Sequence, residues 1–236
     1  MVPPPRRVTV TADVTMADGS AELPRWGGVT EPTTVATNAV LAVLSFVFAA
    51  RLAFRSVTEG SAAGGCLAAA MSATGFAALI GAVAHGTDPA SDAALRARFW
   101  RGALYATGFI GAASVASVAF FAARGTTRTA ILAFAGIKLV AFLHRVTRQP
   151  EFRVAAADYG GALAIVLTGA AYETFRRRAP GMAWLIAGVL VSLVAGIVQA
   201  RRLALHRHFN HNDLYHVIQM AALYAFYRGG GVLVDR

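Results

Sequence analysis

The chain has 236 residues, 56% of them hydrophobic and only 14% charged, with a mean hydropathy of +0.54. Soluble domains carry about 25% charged residues, so this composition excludes an ordinary soluble globule and points to lipid as the solvent. The formal charge of +10 is almost wholly arginine, with Lys138 the one lysine, and it sits in short clusters between apolar runs. That is the pattern of loop anchors flanking membrane spans, and it argues against a nucleic-acid groove.

Residues 1–33 contain no apolar stretch of the signal-peptide kind, so we expect an extramembrane tail without a cleaved leader. Within it, Pro3-Pro4-Pro5 is followed by a Val8-Thr9-Val10-Thr11 alternation that suits either a short strand or disorder. Seven windows then follow, each long and apolar enough for a helix of the roughly 20 residues a bilayer requires. They are Thr34–Phe54, Gly65–His85, Phe99–Ala123, Thr129–His144, Val154–Tyr172, Gly181–Gln199 and Asp213–Tyr227. The connections are short and punctuated, as at Thr87-Asp88-Pro89, Arg124-Gly125 and Gln149-Pro150. The expected architecture is an all-α integral membrane bundle of seven transmembrane helices over residues 34–228, with a short tail at 229–236. Cys66, the single cysteine, lies inside an apolar run and reads as a small packing residue.

The positive-inside rule divides the arginines almost evenly between the two sides. The Arg176-Arg177-Arg178 triplet is the densest cluster, which favours its side as cytoplasmic and the N-terminus as outside, in a multi-pass protein of a cell membrane such as a bacterial inner membrane. The alternation of seven spans has a firmer consequence. His85 ends the second span, His144 ends the fourth, and His206, His208, His211 and His216 open the seventh, so all six histidines share the face on which the first span begins. Asp88, Asp92, Glu151, Asp158 and Asp213 lie on that face too, and helix packing could bring His85, Asp158 and His216 together.

The last span carries a polar stripe. Asn212, His216 and Gln219 fall on one helical face, with a second edge from Asp213 to Tyr224. Such a stripe must face the bundle interior or a wet cavity, because lipid satisfies none of its donors or acceptors. Gln219 and Tyr224 read most simply as interhelical hydrogen-bonding groups. His85 and His216, on separate helices at one depth, read as a metal pair, with His211 or Asn212 as a further ligand. His206 and His208 read as loop residues and His144 as a helix-end residue. Lys138 lies within the fourth span, where an ionisable group is a functional-site candidate. Asp158, beside Tyr159, requires either a buried partner or an exposed place at a helix N-terminus.

These positions resemble a known superfamily: the seven-helix metal hydrolases that include alkaline ceramidases and the progestin/adipoQ receptors. Its members carry a serine and a histidine four residues apart at the end of helix two, and paired histidines four apart at the start of helix seven. Here Gly81-Ala82-Val83-Ala84-His85 and Asn212-Asp213-Leu214-Tyr215-His216 stand at those places, with Gly81 for the serine, Asn212 for the first histidine and Tyr215 where ceramidases have tryptophan. Glu31-Pro32-Thr33-Thr34 resembles the acidic segment that binds calcium in ceramidases. The chain is also similar to uncharacterised bacterial seven-span proteins that share these stretches. The resemblance implies a zinc-dependent hydrolase of a lipid or amide: His85, His216 and His211 or Asn212 on zinc, Asp158 or Asp92 as base, and calcium near Glu31. The alternative is a non-catalytic membrane sensor or scaffold on the same fold, its metal site reduced to hydrogen bonds. A third reading is b-type haem on a histidine pair. Membrane lipids are the expected partners, and nucleic acid is not.

Overall fold

The computed structural model describes residues 24–177, 179, 181–206 and 208–236. The expectations for Pro3-Pro4-Pro5, Val8–Thr11 and Arg178 lie outside the described residues. Two short strands, β1 (Arg25–Trp26) and β2 (Val29–Thr30), precede seven helices: α1 (Pro32–Glu59), α2 (Ala62–Gly86), α3 (Ala93–Ala122), α4 (Gly125–Arg148), α5 (Phe152–Arg177), α6 (Met182–Ala200) and α7 (His211–Gly230). Each apolar window of the sequence falls on one helix. Most helices run further than their windows, because the last turns carry arginine, threonine and glutamate. Hydropathy discards these residues, yet they continue the backbone ladder into the interface. Six helices, α1 to α6, are long and apolar enough to cross a membrane.

The hairpin of β1 and β2 falls inside the stretch read as a tail. Its turn is Gly27-Gly28, with φ of 55° and 84°, a conformation that glycine adopts without a Cβ penalty and that suits the twist of a two-residue hairpin.

Six helices make a closed ring. Around it α1 packs on α2, α2 on α3, α3 on α5, α5 on α6, α6 on α7, and α7 returns to α1. Helix α4 stands outside this ring against α3, and only 17% of its apolar window is buried, compared with 50% for α3. Small residues bring the ring helices together, as expected where lipid supplies no hydrophobic drive between them. A Cβ on Gly188 of α6 would lie 2.9 Å from the Phe226 ring of α7, and one on Gly230 would lie 2.8 Å from Leu52 and Leu67. At the end of the bundle away from the hairpin, residues 231–236 fold back onto the helices. Ser61 Oγ donates to the Leu233 carbonyl at 2.9 Å, and the Asp235 carboxylate accepts the Ala62 and Ala63 amides at 2.8 Å each. A carboxylate on the first amides of α2 satisfies donors that the helix leaves orphaned and complements its dipole.

Candidate functional site

Glu31 precedes Pro32, and the residue before proline is sterically pushed away from helical conformations. Its backbone instead sits in the left-handed region, φ 46° and ψ 53°, which costs an ordinary residue about 1 kcal/mol or more. Its contacts offset that strain. The Glu31 amide donates to the Pro24 carbonyl at 2.9 Å, and its Oε2 accepts from His85 Nδ1 at 2.9 Å and from Arg96 Nη2 at 3.2 Å. All three side chains are buried, with residue exposures of 5–7%. Thr30 Oγ1 lies 2.5 Å from the His85 carbonyl and 3.1 Å from that of Thr87, and Arg96 Nη1 donates to the Thr87 carbonyl at 2.9 Å. Hairpin, α2 and α3 are thus tied together by one buried carboxylate. Burial on its own would raise the Glu31 pKa, but the hydrogen bond and charge interaction with His85, together with the Arg96 guanidinium, outweigh it and hold the carboxyl below the ordinary carboxylate value. Since an ionised carboxylate only accepts, the bridging proton resides on His85 Nδ1.

A parallel arrangement forms on α7. Asn210 caps the helix in a capping box: its side chain accepts the Asn212 and Asp213 amides, and Asp213 Oδ2 accepts the Asn210 amide at 2.7 Å. The other Asp213 oxygen reaches Thr37 Oγ1 of α1 at 3.3 Å, and that hydroxyl lies 3.0 Å from His216 Nδ1. Thr37 has one proton to give, and the carboxylate is a stronger acceptor than the Thr34 carbonyl also within reach. With the Thr37 proton on Asp213, His216 Nδ1–H donates to Thr37, and in the other imidazole tautomer Thr37 donates to His216 Nδ1. Both buried histidines link their Nδ1 to a carboxylate, one directly and one through a hydroxyl.

His85 and His216 line the same cavity, of about 730 Å³, which lies among the helices of the ring and opens past exposed residues such as Arg153 and Ile197. Along α2 its lining runs from Leu67 to His85, about 27 Å at a rise of ~1.5 Å per residue. The walls are Leu67, Ala70, Met71, Leu163, Val166, Leu223 and Phe226 toward the far end. Nearer the histidines lie Tyr159, Ser192, Tyr215 and Gln219, while the wall hydroxyls of Thr74, Thr107 and Ser114 donate to carbonyls of their own helices. Gln219 Nε2 donates to Tyr215 Oη of its own helix at 3.2 Å, and Ser192 Oγ of α6 donates to Gln219 Oε1 at 3.2 Å. Trp100, Phe152, Arg153 and Ala200 line the cavity where it reaches the hairpin end of the bundle.

Other residues singled out from the sequence lie elsewhere. Asp158 does not join the histidines: its Oδ2 pairs with Lys138 Nζ at 2.6 Å between α5 and α4, beside Gly111, and both side chains are nearly buried. Asp92 caps α3, accepting the Leu95 amide at 3.1 Å on an exposed surface. Asn212 Oδ1 accepts from Gln199 Nε2 at 2.9 Å, while His211 opens α7 half-buried, within electrostatic range of Glu31, Asp213 and His85. Asp213 holds the helix N-terminus as read, but it is fully buried rather than solvated. His144 is exposed on α4, His206 and His208 are exposed in the loop before α7, and Tyr224 is exposed, accepting from Arg228 of its own helix at 2.9 Å. Sequence reasoning missed Arg96, Thr37 and Asn210. Only Asn210 had a legible signal, an Asn-x-x-Asp capping pattern.

Among the described residues no three His, Cys, Asp or Glu side chains come together as a metal site. Zinc in catalytic sites takes three protein ligands; of the anticipated set, His85 and His216 line one cavity, Asn212 is engaged by Gln199, and His211 does not join the two histidines in a group of three. The arrangement as it stands does not fit that metal. Calcium requires six or more oxygens, whereas Glu31 is held between an imidazole and a guanidinium, so the segment does not fit calcium either.

Residues 33–233 match the family described as a family of unknown function (DUF6962). No curated protein and no solved structure matches the chain.

Proposed function

We propose that this chain, which belongs to that family of unknown function, is a seven-span membrane protein that binds a long-chain amphiphile inside its helix ring. The ligand's polar head lies beside His85 and His216. Helix α7, 20 residues long and packed along α6 and α1, acts as the seventh span despite its polar first turn. The observation that carries this reading is the asymmetry of the cavity. It is long and apolar over most of its length, and its imidazoles, phenols and amide are gathered toward one end. Pockets of this size bury most of a small ligand, with a few convergent polar groups fixing its orientation. An apolar chain gains by burial along the walls, while a head group with both donors and acceptors satisfies the histidine end. A binding protein of this kind serves as a sensor or carrier of its ligand.

A second reading, zinc-dependent hydrolysis of the same lipid, is favoured by one feature. The Nδ1 atoms of His85 and His216 are linked to carboxylates, as they are in metal-bound histidines. It requires a third ligand to be recruited, such as His211 at the start of α7. Native mass spectrometry of the protein purified in mild detergent reads both possibilities. The binding reading predicts a population carrying one lipid-sized adduct, reduced in His216→Leu. A protein that always flies bare contradicts it, and stoichiometric zinc lost in His85→Ala supports the hydrolase instead.

A further inference from the structure

The hairpin has two faces. Arg25 and Thr30 oppose each other, and Thr30 is fully buried against the end of α2. Trp26 and Val29 oppose each other on the other face, where Trp26 is 80% exposed and Val29 partly so. A large aromatic is seldom held in the open, and the hairpin that carries this one is tied to the bundle at both strands. Arg25 makes a two-point bond to Asp88, 3.0 Å at each oxygen, and Thr30 and Glu31 are fixed on α2.

What lies beneath the exposed face identifies its partner. Helix α2 presents Phe76, Leu79 and Val83 outward, each 40% exposed or more, on one side of the helix. In a membrane helix this is a lipid-facing stripe. One turn beyond Val83 the stripe reaches Gly86, where an added Cβ would lie 3.6 Å from Val29 Cγ1. Val29 and Trp26 therefore continue the lipid-facing surface past the end of the helix, at the level where indole rings concentrate in membrane proteins.

We propose that the Trp26 hairpin is a membrane-surface anchor. The indole seats in the headgroup layer of the leaflet on the side where α1 begins, and the seated hairpin holds Glu31 in its left-handed conformation against His85. The partner is the lipid surface itself, and the inference stands whether or not the cavity holds a ligand.

The test is depth-dependent quenching of Trp26 in the full chain reconstituted into phosphatidylcholine nanodiscs. The protein has three tryptophans, so the Trp26 signal is the wild-type emission minus that of Trp26→Phe. Trp26→Tyr serves the same subtraction if the first variant folds poorly. The expected result is a Trp26 component quenched several-fold more by lipids spin-labelled near the head of the acyl chain than by lipids labelled at its end, and shielded from aqueous acrylamide. A component quenched by acrylamide as freely as a model indole, with no response to labelled lipid, overturns the proposal. Strongest quenching from the chain-end label overturns it as well, since the ring would then lie in the hydrocarbon core.

Discussion

Glu31 shows how one carboxylate can organise three elements. It accepts from His85 and Arg96 with almost no solvent, so removing its charge leaves a buried guanidinium uncompensated, a defect that costs about 3 kcal/mol or more. Its carboxyl titrates below the ordinary value in the folded protein, so the unfolded chain binds more protons in the window between the two values. The resulting stability is complete above the ordinary carboxylate pKa and is lost as pH falls through that value toward the folded one. Thermal unfolding in detergent between neutral and acid pH checks this. The wild type should lose melting temperature more steeply with acid than Glu31→Gln, which starts lower at neutral pH, and parallel slopes would contradict the assignment. From sequence, Glu31 was legible as a segment of interest before the first span, though as a calcium ligand. Its true partners are 54 and 65 residues away, and no local pattern announces Arg96 as the group that faces it.

At the scale of elements, α4 is the outlier. It stands outside the ring and touches α5 little, yet the Lys138–Asp158 pair joins the two at membrane depth. The pair fits because Gly111 of α3 leaves room: a Cβ there would come within 3.0 Å of Lys138 Nζ. In a nearly dry setting one member without the other is costly, whereas both can be replaced by apolar groups at little net loss. Lys138→Met alone should therefore destabilise the protein by about 3 kcal/mol, and Lys138→Met with Asp158→Leu should recover most of it, as read by thermal unfolding of the two variants. Additive losses would show that the pair is not coupled. The sequence marked Lys138 as an intramembrane functional-site candidate and Asp158 as a carboxylate needing either a buried partner or an exposed helix N-terminus. That they serve each other depends on α4 packing outside the ring, which hydropathy does not encode. Helix existence was legible almost throughout, because spans of this length leave an apolar signal that polar caps do not erase. The start of α7 was placed at Asp213 instead of His211, since its first turn is polar and only the Asn210 capping box reveals it.

For the whole molecule, the common face of the histidines followed from counting spans, and the bundle does place His85 and His216 on one cavity. What periodicity could not convey was the arrangement of six helices around a common cavity, or which of the clustered polar residues would face it. Asp158, on α5, turned to Lys138, and Asn212, on the same stripe as His216, turned to Gln199. The cavity is a property of ring closure, and its single polar end is what gives a bound molecule a direction. Photolabelling tests that direction: a long-chain fatty acid carrying a diazirine at its terminal carbon is activated on the protein in bilayers, and the modified residues are mapped by peptide sequencing. The account predicts label on Leu67, Met71, Leu223 or Phe226, at the far end of the cavity from His85 and His216. Label confined to outward-facing residues such as Val43, Ile137 and Leu190 would contradict it.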